Sequence, residues 1–222
     1  KKKIIGDIVM DGDENKDNKM KLKMVNKILS NLKSAPFKNH IMTECAELFF
    51  DRYFFKKLDT NPYFLHFDNG ILDLKEERLR EGRPDDYISL TTGYPFKKFE
   101  DGDMEVLDVL DCLRKTFVDE KLRVFFIEYC AELLRGGNFR KTFLVLSGIG
   151  DNAKSVITDL LEHTLGKYAK VLPTSLLTGK RTQSSGATAE LDDLTGVRFC
   201  LIQEPNASDY INIGMLKELS GN

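Results

Sequence analysis

The chain has 222 residues, of which 41% are hydrophobic and 31% charged, and a formal charge of -2. That length holds one sizeable core or two smaller ones in series, and the mild acidity does not suggest a generic polyanion binder, because affinity for phosphate backbones comes mainly from clustered Lys and Arg; any nucleic-acid contact is expected to be local or shared between subunits. No apolar run reaches the roughly 18 to 20 residues that span a bilayer, and the lysine-led start has no apolar secretory segment, so a cytoplasmic protein without membrane contact is expected.

Four cysteines, Cys45, Cys112, Cys130 and Cys200, stand singly in apolar contexts without CxxC spacing. They read as buried reduced thiols rather than as disulfides or a zinc site. His40, His66 and His163 are equally scattered, which argues against a metal cluster.

In chain order, residues 1–25 form a lysine-rich and then acidic tail. Its "DGDENKDNK" superficially resembles a calcium loop, but the sixth position from Asp11 is Lys16 instead of Gly and the twelfth is Leu22 instead of Glu; a solvated turn is the better reading. Residues 26–137 read as a mainly helical domain. From Met24 to about Leu58, Val25, Ile28, Leu29, Leu32, Ile41, Cys45, Leu48 and Phe49 recur at three and four, and "SAPF" breaks them into two amphipathic helices. Residues 61–96 form a small β unit, with turn signals at Asn61-Pro62, Asp68-Asn69-Gly70 and Glu81-Gly82-Arg83-Pro84 separating short apolar runs that read as strands. Helices resume from Asp103 to Arg135, with Val106, Leu107, Leu110, Leu113 and Phe117 on one stripe and Val124, Phe125, Ile127, Leu133 and Leu134 on the next. Gly136-Gly137 ends them and marks a domain boundary.

Residues 138–222 alternate as the opening of an α/β nucleotide-binding core. A buried strand from Lys141 leads to a loop, a helix, an extended piece near Val171, a Ser/Gly/Thr-rich stretch over 178–188, a short helix, the strand "VRFCLIQE" and a last helix. The loop is Gly148-Ile149-Gly150-Asp151-Asn152-Ala153-Lys154-Ser155, followed by Val156. It matches GxxxxGK[ST] in every element except the second glycine, which is Ala153. In such a loop, backbone N–H groups and a helix N-terminus face the phosphates, the lysine neutralises β/γ oxygens, and the hydroxyl binds Mg2+. The bland alternative is a tight turn with a surface lysine, although a bare cation there opposes the helix dipole. If position 153 needs a positive φ, alanine costs about 1–2 kcal/mol. Glu204, at the C-terminal end of the strand Val197–Ile202, supplies the acid that holds the metal or orients water; Gln203 stands where many such sites carry a second acid.

These residues resemble a known family. "GIGDNAKSVITDLLEHTLGKYAKVLPTSLLTGKR", "ATAELDDLTGVRFCLIQEPN" and "INIGMLKELSGN" look like the ATPase core of superfamily 3 helicases of the viral and phage primase-helicase type, and "NPYFLHFDNGILDLKEERLREGRPDDYISLTTGYPF" is similar to the domain before it. The resemblance covers roughly Phe49 to Asn222. It implies an α/β P-loop NTPase core of AAA+-like type preceded by a helical linker or collar. It implies ATP and Mg2+ as cofactors, single-stranded or forked DNA as partner, a hexameric homo-oligomeric ring, and a primase module in the full-length chain. Carried over by position, Gly148, Gly150, Lys154 and Ser155 match the Walker A residues, Glu204 the Walker B acid and, with Ser155, the metal ligand. The sensor asparagine, arginine finger and hairpin tip of relatives fall beyond Asn222, so the resemblance implies a fragment. Lys180 and Arg181 are candidates for contacts to a neighbouring subunit or DNA, with a flexible solvated loop an alternative of at least equal weight. The location implied is the host cytoplasm or a viral replication site. The rival reading is a catalytically impaired P-loop assembly module of a replication complex, with which Ala153 and Gln203 are both consistent.

Overall fold

The computed structural model describes residues 16–148, 150, 152–178, 194–203 and 209–221. Two compact units divide the chain, Lys1–Phe54 and Phe55–Asn222. In the first, helix α1 (Lys16–Asn31) and helix α2 (Ala35–Leu48) flank a break at Leu32–Ser34. The break falls where "SAPF" places it, because Pro36 is tolerated only in the first turn of the helix it opens. Helix α1 starts at Lys16, earlier than the expected solvated turn allows. Lys, Met and Leu are good helix formers whatever their polarity, and Leu22, Val25 and Leu29, spaced by three and four, are its half-buried residues. Helix α2 has no buried residue.

The second unit opens with an antiparallel meander of β1 (Phe64–Phe67), β2 (Gly70–Asp73) and β3 (Arg78–Arg80). Phe67 pairs with Gly70 across the two-residue turn Asp68-Asn69. Period-two alternation buries Leu65 and Phe67 from β1 and Ile71 and Asp73 from β2. Arg80 then holds Asp86 with a two-pronged ion pair at 2.9 and 2.8 Å, pinning the turn at 84–86 to β3. Beyond it, residues 87–96 form no strand and bond to the β1 region at points such as Thr92 N–H to His66 O (2.9 Å) and Asp68 N–H to Tyr94 O (3.1 Å), since Gly93 and Pro95 interrupt any continuous ladder.

Helices α3 (Met104–Thr116) and α4 (Glu120–Leu133) follow. The stripe expected on α4 is corrected: Phe126 and Leu133 are its buried residues, with Tyr129 and Cys130 packed beside them, whereas Val124, Phe125 and Ile127 are exposed. Positions 126, 130 and 133 keep the i, i+4, i+7 spacing of one face, while 124, 125 and 127 spread around the helix. Asp119 caps α4, its carboxylate accepting the Leu122 N–H at 2.9 Å. Replacing it with alanine is expected to lower the unfolding free energy by about 1 kcal/mol in urea titrations, with the slope unchanged.

The α/β part consists of α5 (Lys154–Leu165), β4 (Ala169–Leu172), the turn of helix α6 (Ser175–Thr178), β5 (Phe199–Ile202) and α7 (Ile213–Ser220). β4 and β5 pair in parallel from Ala169 with Phe199 to Leu172 with Ile202, and α5 packs on both. One core joins Leu65 and Phe67 of β1, Leu133 of α4, Leu165 of α5, Tyr168 and Phe199, so residues on both sides of Gly136-Gly137 share it. A second joins Leu113, Phe126 and Ile157, and a third Leu172, Leu176 and Met215.

The buried strand expected from Lys141 is not present: residues 141–148 carry no ladder, and Phe143 and Val145 are 54% and 76% exposed. Apolar β-formers specify a strand only where neighbours complete the ladder and cover both faces, and the described parallel sheet has two strands. The thiol expectation is also adjusted. All four cysteines are free, but none is fully buried and Cys200 is exposed. The expected short helix before β5, the 178–188 stretch beyond Thr178, and Lys180 and Arg181 lie outside the described residues.

Candidate functional site

The chain enters α5 through a turn whose geometry is dictated residue by residue. At Gly148 a methyl group would lie 1.6 Å from Asn152 Nδ2, so a larger residue there would displace that side chain from the loop. Gly150 has φ +105°, a region closed to ordinary side chains. Ala153 is the N-cap of α5 at φ 59° and ψ 13°, the left-handed conformation. Its carbonyl accepts the first helical bond from Ile157 N–H at 3.0 Å.

Because the cap is alanine, its side chain offers no acceptor to the first N–H groups of α5. Asp119 accepts from Leu122 N–H at the start of α4, and Asn212 from Met215 N–H at the start of α7, whereas Ser34 and Asp103, before α2 and α3, make no side-chain cap bond either. A helix left uncapped keeps several orphan donors and a positive dipole end. Lys154 adds a full positive charge at the first helical position. Its Nζ donates to Gly148 O at 3.1 Å and to Asn152 Oδ1 at 2.8 Å, closing the ammonium over the loop. Ser155 and Val156 are exposed beside it. Orphan N–H groups, a cation and a glycine cradle all converge on one spot, a combination suited to phosphate oxygens.

The structure thus gathers Gly148, Gly150, Asn152, Ala153, Lys154, Ser155 and Val156 at one helix start. Ile149, Asp151 and Glu204 lie outside the described residues. The strand leading to Glu204 is in place: β5 ends at Ile202, and Gln203 O accepts from Thr174 Oγ1 at 3.1 Å. Ser155 is exposed at the second residue of α5.

Two residues carry more than their sequence context suggested. Asn152 entered only as a loop position, yet its amide fills the cradle and receives the lysine; an Asx residue two positions before a helix-opening lysine is the local signal for it. Arg198, immediately before β5, lies with its guanidinium 4.7 Å from the Tyr168 ring and donates from Nη2 to Phe64 O. Its Nε and Nη1 are buried without a partner among the described residues, and burial lowers its pKa to about 10 despite the neighbouring Tyr168. Tyr168 OH in turn accepts from His66 N–H and donates to Leu90 O. These contacts fasten β5 to the meander. No sequence pattern marks such an arginine, since its hydrogen-bond acceptor, Phe64 O, lies 134 residues away.

Other chemistries find little footing. Burial pushes the Cys130 thiol up to about 11, the opposite of an activated nucleophile. Among the described residues, no group of three or more His, Cys, Asp and Glu could hold a metal ion, and no helix is long and apolar enough to cross a membrane.

Comparison with known proteins gives independent findings. Residues 1–123 match the family described as D5 N terminal like. "Putative helicase L207/L206" of Acanthamoeba polyphaga mimivirus is 36% identical over 98% of this chain and 23% of its own length. "Putative helicase 121R" of Invertebrate iridescent virus 3 is 33% identical over 90% of the chain and 22% of its own length. "Putative primase C962R" of African swine fever virus (isolate Tick/Malawi/Lil 20-1/1983) is 26% identical over 89% of the chain and 21% of its own length. The chain spans less than a quarter of the length of these relatives.

Proposed function

The chain belongs to the D5 N-terminal-like family, and on that footing we propose that it is a segment of an ATP-driven DNA helicase of viral DNA replication, a ring-forming primase-helicase that unwinds duplex DNA. The observation that carries the reading is the uncapped, lysine-led start of α5 behind the glycine turn at 148–150. The helicase and primase names of the relatives, all from large DNA viruses, support the biological setting.

In this reading residues 138–222 contribute the first part of an AAA+-like P-loop ATPase, and residues 26–137 a linker or collar. Loop N–H groups of 148–156 hold the phosphates of ATP, and Lys154 exchanges its contacts with Gly148 O and Asn152 Oδ1 for β/γ oxygens. Ser155 and Glu204 hold Mg2+, which supplies charge neutralisation on the transferring phosphate. Glu204 also orients the attacking water. The pairing of β4 with β5, and the Arg198 anchor behind it, support this reading by fixing the strand that leads toward Glu204. DNA, a hexameric assembly and a cytoplasmic replication site belong to the same proposal.

The test uses the full-length protein. Mg-ATP hydrolysis stimulated by single-stranded DNA, with strand displacement on a fork, is expected in the parent and absent from Lys154→Ala. A parent that binds its replication partners yet neither binds nor hydrolyses ATP would replace this reading with that of a P-loop assembly module, to which the strained Ala153 already lends some support.

A further inference from the structure

Helix α1 carries five lysines and one aspartate in sixteen residues, within a chain whose overall charge is -2. Positive charge is therefore concentrated on this element while the remainder is acidic. Lys19, Lys23 and Lys27 recur at every fourth residue, which places them along one side of the helix. All three are exposed and make no ion pair among the described residues. The residues that α1 turns inward, Leu22, Val25 and Leu29, lie on a different side, so the lysine row is free of the packing that holds the helical pair.

An uncompensated row of this kind is unusual for a merely solvated helix. Surface helices ordinarily intersperse acids at i and i+4 to stabilise themselves, and like charges at that spacing repel. Here three lysines follow one another at four-residue steps with no acid between them on that side. With a rise of about 1.5 Å per residue, successive ammonium groups sit roughly 6 Å apart along the axis, so each can meet a different phosphate of one strand.

We propose that the Lys19–Lys23–Lys27 face of α1 is a contact surface for the phosphodiester backbone of single-stranded DNA. It reads no sequence, because lysines aligned on a backbone position the strand without reaching base edges. The inference rests on the helicase reading only for its choice of partner; the site is separate from the phosphate loop of α5.

The test is fluorescence-anisotropy titration of a single-stranded oligonucleotide with this chain, at several salt concentrations. Compared are the parent, the triple variant Lys19→Glu/Lys23→Glu/Lys27→Glu, and a control with the same charge change at exposed lysines elsewhere, Lys97→Glu/Lys98→Glu/Lys121→Glu. The row variant is expected to bind at least 10-fold more weakly at low salt, and its slope of log K against log salt to be shallower by about 2, from three lost contacts at about 0.7 each. The control should keep the parent slope. A triple glutamine variant, with circular dichroism as a check on helix content, repeats the comparison without added repulsion and should show the same loss of slope. Equal weakening in row and control variants would overturn the proposal. So would unchanged DNA binding in the row variants together with lost binding to phosphatidylserine vesicles, which would make the row a lipid contact. ATP affinity, measured in parallel, reports on the α5 loop and stands or falls separately.

Discussion

Lys154→Ala is expected to bind Mg-ATP about 100-fold more weakly than the parent, equivalent to roughly 3 kcal/mol, or below detection, with its unfolding transition unmoved. Lys154 Nζ has two neutral acceptors, Gly148 O and Asn152 Oδ1, and a hydrogen bond of a charged donor is worth about 1.5–3 kcal/mol when its partner is also charged and partly desolvated. Phosphate oxygens offer such partners where the loop carbonyl and amide do not. The side chain is half-buried and belongs to none of the three cores, so its removal leaves the packing of α5 through Ile157 and Leu165 intact. A loss of binding without a loss of stability separates a ligand contact from a structural one.

The second large effect is at Ala153. Its φ of 59° places a Cβ where L-residues pay about 1–2 kcal/mol, and the strain falls at the residue that hands the chain into α5. Ala153→Gly relieves it, while glycine adds back some unfolded-state freedom. The expected net gain is about 1 kcal/mol of unfolding free energy, read as a higher urea midpoint with an unchanged slope. Removing the methyl also opens the loop to a phosphate, so Mg-ATP affinity rises several-fold. Stabilisation without any gain in affinity would favour the assembly-module reading, in which position 153 no longer faces a ligand.

Much of this was legible in the residues. The turn signals of the β unit, the break before Pro36 and the helix beginning at Lys154 all appear where local chemistry puts them, because each is set by neighbours within a few positions; the strand "FCLI" also forms where its apolar run stands, once β4 pairs with it. The left-handed conformation at 153 was legible too, as the position where a loop of this kind carries glycine. What was not legible depends on distant partners. Phe143 and Val145 have every intrinsic preference for a strand and form none among the described residues, since a strand is made by its neighbours. The stripe of α4 was misread because Val124, Phe125 and Ile127 are as apolar as the residues that are buried; the choice is made by what α3 and α5 present to Phe126. Arg198 gave no signal, its environment being assembled from β1 and Tyr168.

The central claim is that the turn into α5 binds nucleotide phosphate, and titration calorimetry of Mg-ATP against this chain, Lys154→Ala and Ala153→Gly tests it most directly. The account predicts binding in the parent, tighter binding in Ala153→Gly and none in Lys154→Ala. Absence of binding in both the parent and Ala153→Gly, or equal binding in Lys154→Ala, would contradict it.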